Sequence, residues 1–510
     1  MNYFKLVNMK FTLFLFLLCS ASYVQAQKSA DEISVKDEPI PAGITAVVTR
    51  HSVTLKDLTK ISYTAHTGYL NLKNDTGKSI AKVFFTYYKK NQADVTKRPV
   101  CFAFNGGPGS SSVWLHIGAL GPRSVLLKDD GTTTGPPYKL VNNENTWLDK
   151  TDLVFIDPVS TGYSRPLAGE SSRQFHGYTE DVQSMAAFIR SFLSSYERWG
   201  SPKYLAGESY GTTRAAGLAK YLTDNYRLFI NGIFLISPVL NFGTKDYAIG
   251  NDLPRALYIP SYTAAAWYHK KLAPTLQADL GKALKESEAF AMGEYASALL
   301  KGDVLTPEDK SRMAEKISYY TGLDKEYILR ANLRVSENRF YKELRRKDGL
   351  GIGRLDARFT GRNFDDAGEY VDYDPSFINI DGPFTSAIND YFAKDLNFKE
   401  QEPYNIFGNV RPWNYNNVQN QYLNVAESLR DAMTKNTHLK VYVGSGYYDF
   451  ATPYFTASYD ISHMFLREEL RPNIKQYFYE SGHMYYIHKP SMQQFKKDVD
   501  AFFEWSMPKN

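Results

Sequence analysis

Apolar residues come along this chain in short runs, and most of the runs stop at a glycine or at a turn-forming polar residue. Residues 61–72 and 79–88 read as two β-strands joined across Asn74-Asp75-Thr76-Gly77, a hairpin signal. Four shorter apolar runs follow. Residues 100–104 end at Asn105-Gly106-Gly107-Pro108-Gly109, and residues 153–156 end at Asp157-Pro158. Residues 204–206 end at Gly207-Glu208-Ser209, and residues 233–236 end at Ser237-Pro238. Between the second and third runs, Val182, Met185, Ala186, Ile189, Phe192 and Leu193 recur at helical spacing, which predicts a helix over 178–196. Short apolar strands alternating with helices specify the α/β class: a mostly parallel central sheet flanked by helices on both faces.

The pattern changes over residues 245–420. Helical spacing and charge dominate there, as in 272–300 and 307–316, and no apolar run ends in a glycine loop. This stretch reads as an inserted, mainly helical cap. The sheet pattern returns at 440–444 and 474–479, and a last helix is expected at about 491–505. The expected organisation is therefore a core in two parts, 27–244 with the N-terminal β-hairpin and 421–510, interrupted by the cap. Residues 27–45 are polar and read as a flexible lead-in.

Composition narrows the class. Of 510 residues, 43% are hydrophobic and 15% aromatic, including 38 Tyr, which fills a large core and excludes wholesale disorder. The 60 basic and 55 acidic residues give a formal charge of +5 without a basic block, which argues against a nucleic-acid partner. Residues 1–26 read as a secretory signal: Lys5 and Lys10, an apolar run from Phe11 to Leu18, then Val24-Gln25-Ala26. That run is shorter than the ~20 residues of a membrane span. Leu18 before Cys19 disfavours lipid attachment. Cleavage near Ala26 leaves Cys101 as the one cysteine, so the mature chain is expected to be secreted or periplasmic and to form no internal disulfide.

Gly207-Glu208-Ser209-Tyr210-Gly211 is a G-x-S-x-G pattern set between a short strand and a helix that begins with small residues. Such a turn lifts the serine hydroxyl above the strand ends, which makes Ser209 the candidate nucleophile. A serine needs a base, and the base needs an orienting group. In this arrangement the chain order is Ser, acid, His. His483 follows the strand at 474–479, whereas His488 stands where Lys489-Pro490 already leads the chain away. Asp449 follows the strand at 440–444. The cap falls within the 240 positions between Ser209 and Asp449, and 34 positions separate Asp449 from His483. Two amide groups are assigned to an oxyanion: Tyr210, next to the nucleophile, and Gly107, in the glycine-rich loop after the earlier strand. Residues 349–353 are also glycine-rich but follow no strand, and read as a cap loop. Asp365, Asp366, Glu369, Asp372 and Asp374 do not have EF-hand spacing and read as a solvated acidic loop. No metal or cofactor is expected.

Four blocks resemble the serine carboxypeptidase family: residues 105–112 (NGGPGSSS), 157–164 (DPVSTGYS), 207–211 (GESYG) and 482–484 (GHM). The resemblance implies an α/β-hydrolase fold and the triad Ser209, Asp449 and His483. It also implies removal of residues from the C-termini of peptides, so peptides with a free C-terminus are the expected substrates. It further implies that Asn105, Gly106 and Glu208 hold the substrate's terminal carboxylate, with Met484 also in the substrate-binding set. The family's second carboxylate-binding Glu falls here on Ala119, and its Cys in the first block is Ser110. Weaker carboxylate capture and a preference for acidic pH are therefore expected, with His116 or Arg123 as candidate replacement donors. An acyltransferase or esterase on the same triad is the alternative, and a non-catalytic binding protein a more distant one. Tyr163, Tyr210, Tyr447, Tyr448, Tyr485 and Tyr486 fall in or beside the blocks and are expected to contribute to the lining of the cleft.

Overall fold

The architecture comes from a computed structural model that describes residues 40–507. The expected signal segment and most of the lead-in lie outside them. Ten strands form the main sheet. Its path uses β1 (Ile44–Thr54), β2 (Lys60–Lys73), β3 (Ser79–Lys90), β4 (Val100–Phe104) and β5 (Asp152–Ile156). It continues with β6 (Lys203–Ser209), β7 (Gly232–Pro238), β8 (Lys440–Gly446) and β9 (Ile474–Tyr479). The spatial order is β1-β2-β3-β5-β4-β6-β7-β8-β9, and a two-residue strand, Arg165–Pro166, pairs with β3 off this path. The first three strands and the β3/β5 pair are antiparallel. From β5 to β9 every neighbour is parallel. Strand β1 was not anticipated. It is an edge strand of mixed polarity and partial burial, so it lacks the apolar run that marked the others.

The inner parallel strands, β4 to β8, are buried on both faces, which is why their sequences show no polar alternation, whereas the edge strand β9 is largely exposed. In β4, Val100, Phe102 and Phe104 enter one apolar cluster, and Cys101 and Ala103 enter the other. The first cluster is closed by α1 (Tyr178–Ser195) and α2 (Tyr210–Tyr226), through Met185, Ile189, Ala215 and Leu222. The second is closed by α3 (Pro375–Lys394) and α4 (Lys489–Ser506), through Phe384, Ile388, Phe495 and Phe502.

The helical stretch between β7 and β8 is not uniform. Ile259–Tyr268, Leu280–Phe290 and Pro307–Thr321 share a third cluster with Phe340, which reaches Phe450 and Tyr454 just after β8. The apolar side of α3, by contrast, packs on the sheet. The periodic run over 272–300 is broken into several helices. Asp279 accepts the Lys282 amide hydrogen at 3.1 Å and so starts a new helix there. The glycine-rich stretch near 350 contains a two-residue strand, Gly351–Ile352, paired with Thr360–Gly361.

One buried ion pair ties the site-bearing elements together. Arg214, on α2, has no solvent exposure. Its Nε donates to Asp181 Oδ2 of α1 at 2.8 Å, and a terminal nitrogen donates to the Asn105 carbonyl after β4 at 2.6 Å. The guanidinium also lies over the rings of Phe104 and Tyr210, 5.3 and 5.4 Å from their centroids. Removing one partner strands the other charge in the core. Arg214→Met is therefore expected to lower unfolding free energy by ~3–5 kcal/mol, and adding Asp181→Leu to restore most of the loss. Urea unfolding of the three proteins checks this; a double variant as unstable as the single one would rule out the pairing account.

Candidate functional site

Strand β6 delivers Ser209 into a sharp turn. Its backbone stands at φ 59°, ψ −128°, a conformation costing an L-residue ~1–3 kcal/mol. The turn is tight enough that a Cβ on Gly207 would collide with the Gly211 carbonyl. Directly after Ser209, α2 begins, and the first amides of a helix have no partner within it. The glycine-rich loop after β4 presses against this end: a Cβ on Gly106 would overlap the Tyr210 amide nitrogen. The loop that carries Gly107 thus lies beside the Tyr210 N–H, at the positive end of the helix dipole. Asp157, buried after β5, steadies the same loop by accepting the Ser112 amide at 2.8 Å and its hydroxyl at 2.7 Å. That is the structural use of the 157–164 block.

Asp449 and His483 come from the ends of the sheet's last two strands. His483 Nδ1 stands 2.7 Å from Asp449 Oδ2. Asp449 Oδ1 accepts the amides of Ala451 and Thr452 at 2.7 and 3.0 Å, and Oδ2 accepts the Thr452 hydroxyl at 2.8 Å. The His483 backbone is fixed on both sides. Its N–H donates to the Leu355 carbonyl at 2.6 Å, and its carbonyl accepts from Ser237 Oγ at 2.6 Å. Burial pulls the imidazole pKa down, but the charge and hydrogen bond of Asp449, together with the charge of Glu208, outweigh it and raise the pKa. With Nδ1 engaged, Nε2 is the nitrogen left for the cavity that His483 and Ser209 both line. Among the described residues none holds Ser209 Oγ in a hydrogen bond, as is common before substrate tightens such a site.

The cavity measures about 370 Å³. Asn105, Gly106, Gly107, Glu208, Ser209, His483 and Met484 line it from the core side, and Arg354, Leu355, Asp374 and Phe377 from the inserted segment. Trp114 and Phe407 add aromatic wall. Tyr210 and Asp449 stand behind it. Glu208 is 2% exposed, and burial pushes its carboxyl pKa up to about 7. Hydrogen bonds from Tyr486 and Asn105 and the charge of His483 oppose that rise. The Tyr486 hydroxyl donates to Glu208 Oε2 at 2.6 Å.

Tyr486 is the partner that the sequence did not reveal. Its ring packs against Gly118, next to the buried Ala119, and nothing in a spacing rule links positions 208 and 486. The two donors proposed in place of the missing Glu do not reach the cavity. His116 is buried, bonds the Tyr88 hydroxyl at 2.7 Å and stacks on Phe155; burial drives its pKa down to about 3. Arg123 directs a guanidinium nitrogen at the Leu140 carbonyl, 3.5 Å away. None of the six tyrosines beside the motif blocks lines the cavity, whose aromatic wall is Trp and Phe. Tyr485, for instance, stacks on Tyr479 in the core. His488 bonds Ser491 Oγ at the start of α4 instead. In the acidic run, Asp365 and Asp372 accept nearby backbone amides, Glu369 pairs with Arg339, and Asp374 caps α3. A larger groove of about 1260 Å³, between the β2–β3 hairpin and α1, contains none of the residues above.

The geometry can be set beside known proteins. The family model for serine carboxypeptidases matches residues 57–486. The pheromone-processing carboxypeptidase KEX1 of Cryptococcus gattii is 31% identical over 208 residues, 39% of this chain and 27% of that protein. Carboxypeptidase Y of Saccharomyces cerevisiae is 31% identical over 149 residues, 29% of this chain and 25% of that protein. The chain therefore spans about a quarter of the length of these curated relatives. Among solved structures, a prohormone-processing carboxypeptidase from Saccharomyces cerevisiae matches with a TM-score of 0.54 at 16% identity, covering 86% of this chain and 91% of that one. That likeness shows the α/β-hydrolase fold. Among the described residues no helix is long and apolar enough to cross a membrane. With the family model matching most of its length, the chain belongs to the serine carboxypeptidase family.

Proposed function

We propose that the protein is an exported serine-type carboxypeptidase that removes residues from peptide C-termini through an acyl-enzyme. The observation that carries this reading is the Asp449–His483 pair facing a cavity that Ser209 enters on a strained turn and the buried carboxyl of Glu208 also lines. Ser209 Oγ attacks the last peptide carbonyl and passes its proton to His483 Nε2, while Asp449 keeps the ring oriented and stabilises its positive charge. The amides of Gly107 and Tyr210 receive the developing oxyanion. His483 then gives the proton to the departing amine, the C–N bond breaks, and water attacks the acyl-serine by the same route in reverse. The N-terminal address read from residues 1–26 would carry the protein out of the cytoplasm.

The terminal carboxylate of the substrate would be held by Asn105, Gly106 and Glu208, with Met484 in the wall. An ionised Glu208 repels that carboxylate, and a protonated one donates a hydrogen bond to it. Acyl transfer or ester hydrolysis on the same residues is the second reading, favoured by Ala119, where a second acid is missing.

Fluorophosphonate labelling tests the nucleophile. Wild type is expected to label, and Ser209→Ala to lose all labelling; a labelled Ala variant refutes the assignment. Carboxylate capture is tested by comparing kcat/KM for one peptide and its C-terminal amide across pH. Because His483 titration affects both substrates, their ratio isolates Glu208. The preference for the free acid is expected to fall as pH rises through about 7, where Glu208 loses its proton. In Tyr486→Phe the ionised form of Glu208 loses a donor, so the midpoint of that fall should move to higher pH. A ratio of one at every pH would sink the exopeptidase reading in favour of the second.

A further inference from the structure

Arg354 supplies a permanent positive charge to the wall of the cavity and belongs to none of the four motif blocks. Its backbone is held to the loops that carry the acid and the base. Its N–H donates to Asp374 Oδ1 at 3.1 Å, and its carbonyl accepts the amide of Phe450, the residue after Asp449, at 3.1 Å. The next residue, Leu355, accepts the His483 amide at 2.6 Å and donates its own to Ser376 Oγ at 3.0 Å. The backbone that carries this side chain is thus held by the same loop contacts that place the base.

The guanidinium itself is exposed and, among the described residues, makes no ion pair or side-chain hydrogen bond. Its charge is felt at His483 and at Glu337, yet neither carboxylate near it is a partner. Asp374 Oδ1 already accepts the amides of Arg354 and Ser376 and the Ser376 hydroxyl. Glu337 stands beyond ion-pair distance. An unpaired arginine on an open surface asks for no ligand. This one faces a cavity that also holds Ser209, His483 and an aromatic wall of Trp114 and Phe377. The same cavity is lined by two acids, Glu208 and Asp374, so an incoming carboxylate needs a cation beside it.

We infer that Arg354 binds a carboxylate of the substrate, pairing through its planar fork as arginines do with carboxylates. The inference rests on the proposal that this cavity receives the end of a peptide. The carboxylate has two sources, the chain terminus or the side chain of a C-terminal Asp or Glu, and the substrates are chosen to separate them.

The test measures kcat and KM for the full chain and for its Arg354→Gln and Arg354→Lys variants. Two matched substrate pairs are used: one peptide as free acid and as amide, and one peptide ending in Glu or in Gln. Arg354→Gln is expected to raise KM about tenfold for the substrates that carry the recognised carboxylate, the loss of one charge-assisted contact. Arg354→Lys should recover part of this, because it keeps the charge and loses the fork. A penalty on the free acid and not the amide assigns the terminus; a penalty on Glu over Gln assigns the side chain. Unchanged KM for all four substrates, in an enzyme that still releases C-terminal residues, overturns the inference alone. A wild-type enzyme that labels at Ser209 but releases no C-terminal residue overturns the peptide reading and this inference with it.

Discussion

A guanidinium shut away from water is what the site geometry hangs on. In burying Arg214, Asp181, the Asn105 carbonyl and two aromatic faces replace most of its hydration, while one terminal nitrogen has no hydrogen-bond partner. Those partners belong to α1, to the end of β4 and the loop after it, and to the residue that follows Ser209. Being one helical turn and a half beyond Ser209, Arg214 registers the nucleophile's helix against the loop that carries Gly107. A displaced Asn105 carbonyl would leave the arginine short of an acceptor in the core, so the loop and the turn share one energetic minimum. The burial cost is visible on the acid: desolvation raises the Asp181 pKa, with Arg214 working against it.

The other half of the site is held differently, by many neutral contacts around the Asp449–His483 pair. Asp449 receives hydrogen from two backbone amides, a threonine hydroxyl and His483, while Ser237 and Leu355 fix the histidine backbone. Glu208 and His483 sense one another: the carboxylate favours the imidazolium, and the imidazolium favours the carboxylate. Tyr486 enters this balance from the core side, in the corner next to Ala119, and gives Glu208 a donor that does not itself carry charge.

What could be read from the residues followed locality. Strands buried on both faces show as uninterrupted apolar runs, and each ran into a glycine or a turn residue, so the sheet's centre and the positions of Ser209 and Asp449 at strand ends were legible; His483 was legible from the Ser-acid-His order and the aromatic end of the edge strand β9. The edge strand β1 was not, because partial burial leaves polar residues along it. Contacts between distant positions left no trace in spacing, as with Tyr486 and Glu208. Nearness in sequence misled for His116 and Arg123, which lie close to Ala119 along the chain but bond the Tyr88 hydroxyl and face the Leu140 carbonyl, away from the cavity. Arg354 was hidden for a related reason: a glycine-rich stretch announces a turn, not the cavity the turn will face. Many of the abundant tyrosines pack against other aromatic rings, as Tyr442 does on Tyr477 and Tyr63 does edge-on to Tyr88, and fill layers rather than line the cleft.

The separate apolar cluster of the inserted helices bears on how so long a detour survives between the nucleophile and its acid. Closing a flexible chain costs about 0.6 kcal/mol for each doubling of its length. Stretching a connection from about 30 residues to the 240 found here is three doublings, about 2 kcal/mol. A segment that buries Tyr262, Leu284 and Phe340 among its own residues offsets that sum many times over. In polymer terms the detour is nearly free once it folds on itself, so the spacing between Ser209 and Asp449 is a weak constraint and the segment's own packing a strong one.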